Sequence, residues 1–210
     1  MQPKWFLALA FFWILGMADT VYLTYHHYEV NILMPAEKSF CVINQTIDCD
    51  KAATGIGSTF MGVPVATWGM FAFLFLMLFV MVERLLYWEI QKALYGFLFF
   101  IIYLMAAFSL YEAYISFVIL KVVCIMCAML YIVMLLMLFS CKRALGVTHL
   151  EFTLLLRDLF FRSFSRHLLR KGISVTIIAL VFSGIIAFGL DQKFQTTFSY
   201  RRVNMMLSGH

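Results

Sequence analysis

Four of the five cysteines in this chain form two spaced pairs. Cys41 and Cys49 flank Val-Ile-Asn-Gln-Thr-Ile-Asp in a polar stretch, and Cys124-Ile-Met-Cys127 opens a long apolar run. Two cysteines three apart on a helix share a face and can close a disulfide after local adjustment. A thiolate near a helix N-terminus is stabilised by the unpaired amides there, which lowers its pKa and makes it a better leaving group. Lys121, one turn before Cys124, is expected to act in the same direction. Two dithiols held near one membrane surface can pass electrons from a soluble thiol to a lipid-soluble acceptor. Neither pair alone implies this.

Each pair also has a simpler reading. Cys124 and Cys127 could be two small apolar residues packed in a bundle. Cys41 and Cys49 could staple a loop, or each could meet a different partner. Four cysteines could also hold zinc, with His26 and His27 as further ligands. Closed zinc sites favour paired C-x-x-C knuckles, however, and this chain has one C-x-x-C beside a C-x7-C.

The elements that must position these residues follow from composition. The chain is 64% hydrophobic and 13% charged. A soluble domain of 210 residues could not wet such a surface, whereas a polytopic membrane protein covers it with lipid. The apolar runs are too long and continuous for barrel strands, so the spans are helices. Five are predicted: Trp5 to Tyr25, Val65 to Val82, Leu94 to Leu120, Val122 to Ser140, and Ile173 to Leu190. Each approaches or exceeds the roughly 20 residues that cross a bilayer. The first is long for a signal peptide and lacks a convincing cleavage site.

Lysine and arginine set the orientation. The stretch from Lys142 to Lys171 carries seven of them and is expected to stay cytoplasmic, which leaves the N-terminus inside. The Glu29 to Pro64 loop, the start of the fourth span and the C-terminal tail then lie outside, and both cysteine pairs face one surface. Arg201 and Arg202 in the tail oppose this assignment but are fewer. The clustering reads as membrane orientation, not nucleic-acid binding. Within the inner connector, Leu150 to Arg170 reads as a cationic amphipathic helix lying in the interface. The chain thus divides into residues 1–140 with an outer loop at 29–64, a connector at 141–172, a fifth span at 173–190 and a tail at 191–210.

Asp19 and Glu112 interrupt the first and third spans. Ionisable groups at that depth are costly, and a proton relay competes with interfacial solvation or an ion pair to Lys121. Cys141 falls at the inner end of the fourth span, where it is inert or a lipidation candidate. Asn44-Gln45-Thr46 matches the N-glycosylation pattern.

These features in order resemble the vitamin K epoxide reductase family, in its bacterial form, over the first four spans. The resemblance rests on the Cys41-x7-Cys49 loop, Ser58-Thr59-Phe60-Met61-Gly62-Val63-Pro64 before the second span, and Cys124-Ile-Met-Cys127 followed by Tyr131. Ala18-Asp19 through Tyr22-Leu23-Thr24-Tyr25 adds to it. The related DsbB architecture has its C-x-x-C first and its spaced pair second, the reverse of this order.

The resemblance implies an all-α polytopic membrane protein: a four-helix bundle core around a quinone, plus a fifth transmembrane helix. It implies that Cys41 meets a DsbA-like periplasmic thioredoxin-fold partner and that Cys49 exchanges with Cys124. Cys127 would then face ubiquinone or menaquinone, with Ser58 and Tyr131 in the quinone pocket and no metal. It further implies a bacterial inner (cytoplasmic) membrane location and a role in disulfide formation. Two positions depart from the family pattern: Gly55 stands where a serine is frequent, and Val65 where some members carry asparagine. Members with a fused thioredoxin-like domain carry it after the fifth span; here the partner is expected to be a separate protein. The rival expectation is a metal-binding or scaffolding membrane subunit with a stapled loop.

Overall fold

The structure is a computed structural model that describes residues 3–34, 39–86, 91–145 and 166–208. The bulk of the predicted amphipathic segment, residues 150–165, lies outside the described residues.

Helices build nearly all of it. Helix α1 (Pro3–Tyr28) continues through a π-helical turn at Glu29–Leu33. The cysteine loop carries the short helix α2 (Cys49–Thr54) and a two-stranded hairpin, β1 (Thr59–Phe60) with β2 (Val63–Pro64). Its tight turn uses positive φ at Met61 and Gly62. Then come α3 (Val65–Leu86), α4 (Gln91–Tyr114) with a π-helical end at Ile115–Ile119, α5 (Ile125–Leu145) and α6 (Arg166–Ser208).

Four helices are long and apolar enough to span a membrane: those over Leu7–Leu33, Leu98–Ile119, Ile125–Arg143 and Thr176–Leu207. The apolar stretch of α3, Val65–Met81, is shorter. Only about a quarter of each spanning stretch is buried inside the protein. The chain is a multi-pass, all-α membrane protein. Helix α6 has 43 residues, about 64 Å at 1.5 Å per residue, twice a bilayer's hydrocarbon core. It passes Leu190 unbroken, so the tail through Ser208 is helical.

Helix α1 sits at the centre, against α5 on one side and α3 on the other. Helix α4 packs on α5, and α6 packs on α3. Small residues allow these approaches, as is common where lipid gives helices no hydrophobic reason to associate. A Cβ on Gly16 would strike the Phe73 ring, and one on Gly69 would lie 3.0 Å from Thr20 Cγ2. The Trp13 indole donates to the Phe73 carbonyl at 2.8 Å. On α6, Ala179, Ser183 and Ala187 recur every four residues and are fully buried. A core of Phe73, Phe79, Leu98, Ile102, Met134 and Met137 fills the bundle's inner part.

Helices α3 and α4 barely touch each other. The space between them, closed behind by α1 and α5, is a cavity.

Candidate active site

The cysteine loop is stitched to the entrance of α5. Ile47 and Val123 form a parallel β-bridge, in which Val123 N donates to Thr46 O at 2.7 Å and Asp48 N to Val123 O at 3.2 Å. Asn44 shapes the loop beforehand: its side-chain oxygen accepts from the amides of Thr46 and Ile47 at 2.9 and 2.7 Å. Asp48 caps α2 by accepting from Lys51 N. Cys49, the first residue of α2, is thereby brought beside Cys124, the residue before α5.

Cys41 and Cys49 form a disulfide, with Cα atoms 5.8 Å apart, while Cys124 and Cys127 are free thiols. Cys41, Cys49 and Cys124 are buried in one cluster, with Leu23, Met126 and Cys127 packed against it. All four sulfurs of the two pairs therefore gather at one end of the bundle.

Cys124 occupies the N-cap position of α5, and its sulfur accepts the Cys127 amide at 3.2 Å. The thiol lies just ahead of the spanning stretch, and its pKa falls below the usual thiol value. A hydrogen bond from the Cys127 thiol is the main cause; amide hydrogen bonds from Cys127 and Met126 add to it, against burial. The sequence had assigned a share to Lys121. That residue is exposed in the linker, and hydrogen bonds from α5 itself perform the task instead.

The cavity measures about 530 Å³ and is largely apolar. Cys127 and Tyr131, one turn apart on α5, line it together with Ser58, Cys49 and Cys124. Cys41 is behind Cys49 and does not line it. Trp68 and Phe71 of α3 form another wall. The size, apolar lining and few hydroxyls suit a flat, lipid-soluble ring.

Several residues that hold this site carried weaker signals in the sequence. His26 is buried, stacks on Tyr22, and brings Nε2 within 3.2 Å of Asp50 Oδ1, tying α1 to α2. Asn31 donates to the Ala53 carbonyl at 3.1 Å. Asp191 of α6 accepts from Tyr28 at 3.0 Å and Thr67 at 2.7 Å. One turn earlier, Phe188 packs edge-on to Trp68 with centroids 5.3 Å apart. The spacing of Asp19, Leu23 and His26 on one helical face was the available clue to His26. Nothing local marked Asp191.

Among the described residues, no three His, Cys, Asp or Glu side chains gather as metal ligands.

A disulfide and a dithiol collected at one end of an apolar bundle are the build of a membrane thiol–disulfide oxidoreductase. The vitamin K epoxide reductase family matches residues 7–141, and the chain belongs to that family. Its members are membrane redox enzymes that work with disulfides, quinones and thioredoxin-like partners. No curated protein and no solved structure matches the chain.

Proposed function

We propose that the protein oxidises the dithiol of a DsbA-like thioredoxin-fold protein and passes two electrons to ubiquinone or menaquinone, supporting disulfide formation. The observation that carries this reading is the shared cluster: the Cys41–Cys49 disulfide lies against Cys124, and Cys127 opens onto the cavity.

The partner's thiolate attacks Cys41, releasing Cys49. Resolution by the partner's second thiol leaves the loop pair reduced and the partner oxidised. The Cys49 thiolate then attacks Cys124 of a Cys124–Cys127 disulfide, releasing Cys127. Cys41 attacks Cys49 in turn, freeing Cys124. The product has an oxidised loop and a reduced Cys124/Cys127 pair, the thiol pattern in this structure. The lowered pKa of Cys124 makes it the better leaving group in the final exchange.

A quinone supplies one thing here: it accepts two electrons and two protons. The chain's own residues would hold it, with Cys127 at its edge, the Ser58 and Tyr131 hydroxyls as hydrogen-bonding groups and Trp68 as an apolar wall. The opening between α3 and α4 gives a route from the lipid. The positive stretch from Lys142 to Lys171 supports an inner-membrane orientation with the N-terminus cytoplasmic and the cysteines periplasmic. In this reading residues 1–140 carry the redox function, and residues 173–190 of α6 form the fifth span.

A scaffold with a stapled loop draws support from the disulfide alone. It gives no role to two thiols on a cavity wall. The test is quinone absorbance over time, with purified protein and a reduced thioredoxin-fold donor. Quinone loss is expected, and Cys127→Ala should abolish it. Undiminished donor oxidation by Cys127→Ala would overturn the reading.

A further inference from the structure

The Asp19 carboxyl is 3% exposed, and neither oxygen has a hydrogen-bond partner among the described residues. An ionised, unpaired carboxylate in such surroundings is expensive, and the cost falls when the group takes a proton. The two simpler explanations fail here. Burial excludes solvation at the interface, and Asp19 makes no ion pair with the exposed Lys121.

Its position is specific. Asp19 lies one helical turn inward from Leu23, which packs on the cysteine cluster. Cys127 lies one turn inward from Cys124 on the antiparallel helix α5. Rises of about 6 Å and about 4.5 Å from the cluster bring the two to the same depth. Both sulfurs of the pair lie within electrostatic range of the Asp19 carboxyl. The other titratable groups around the pair are Tyr22, within electrostatic range of Cys124, and His26, His27, Glu112 and Tyr131, which line the cavity. Asp19 does not line the cavity.

We propose that Asp19 is a redox-linked proton store for the Cys124–Cys127 pair, protonated while the pair is a dithiol and ionised once the disulfide forms. The inference rests on the redox reading of the pair.

The chemistry has a place for such a group. The Cys124 sulfur caps α5 and accepts the Cys127 amide, which favours its thiolate; where that thiolate forms, the reduced pair keeps one proton, on Cys127. A quinone needs two protons with its two electrons. With Asp19 protonated, the reduced site consists of a Cys124 thiolate, a Cys127 thiol and a neutral carboxyl. Oxidation forms the sulfur–sulfur bond, breaks the Cys127 S–H and Asp19 O–H bonds, and releases two electrons and two protons. The carboxylate that remains carries the one negative charge that the thiolate carried before. The buried site keeps its net charge, because the negative charge passes from the sulfur to the carboxylate.

The test counts protons without any quinone. The full-length protein is equilibrated in dithiothreitol buffers of graded potential across a pH series, and alkylation with mass spectrometry reads the Cys124–Cys127 pair. In the range where Cys124 is a thiolate, the wild type is expected to take up two protons per two electrons. Asp19→Asn, nearly isosteric, is expected to take up one, and Asp19→Glu to restore two. Glu112→Gln is expected to keep two. An Asn variant that still takes up two, a wild type that takes up one, or a loss caused by Glu112→Gln instead would each overturn the proposal. Failure of the quinone assay with an intact two-proton count would reject the proposed acceptor and leave Asp19 in its role.

Discussion

The two ends of α5 carry cysteines of nearly equal burial, Cys124 at 3% exposure and Cys141 at 2%. Their surroundings differ in kind. Cys124 caps a helix N-terminus, accepts an amide hydrogen bond and faces a second thiol one turn away. Cys141 is embedded in the apolar core with Phe79 and Met137, past the last turn that could offer it free amides. The contrast teaches that exposure does not make a membrane cysteine reactive; the groups that stabilise its thiolate do. It also divides the bundle into a cysteine-loop end fixed by hydrogen bonds and an opposite end fixed by packing.

The sharpest way to break that comparison is differential alkylation with a small permeant reagent on the form with the Cys41–Cys49 disulfide. Cys124 should react roughly 100-fold faster than Cys141, because burial is matched and only thiolate character differs. Labelling of Cys124 should persist as pH falls through the ordinary thiol range and fail only below its lowered pKa. Equal rates would erase the distinction.

A smaller effect is expected from Asp191→Ala, which leaves two buried hydroxyls near the cysteine-loop end without their acceptor. It should cost roughly 1.5–3 kcal/mol of stability. Because Phe188 backs Trp68, it should also raise the KM for quinone while leaving the KM for the thiol donor unchanged. An unchanged quinone KM would remove α6 from any part in the cavity.

The smallest is Gly16→Ala, at the crossing packed against Phe73. Overpacking there should lower stability by about 1–3 kcal/mol, measured by thermal unfolding in detergent, with Cys124 alkylation unaltered. A change in that alkylation would mean the two ends are not independent.

What was legible in the sequence was local. Hydropathy gave the apolar helices, and the C-x-x-C at an apolar boundary marked the start of α5. The order of the cysteine pairs pointed to the family. What was hidden depended on long-range contacts. Residues 163 and 124 positions apart meet at Asp191, and no window of sequence registers such an encounter. Asp19 was visible as an anomaly, but its burial depends on the tertiary packing around α1. Lys121 stands one turn before Cys124 in the chain, and that position says nothing about where an exposed linker leaves the residue.

The bridge between Ile47 and Val123 has a mechanical consequence. In the proposed reading, a partner that seizes Cys41 would pull on the cysteine loop. Two backbone hydrogen bonds join that loop to the residue directly before Cys124, so the seam would bear the force and the loop and the head of α5 would shift as one piece. The gap between the two pairs would then be insulated from the jostling of docking.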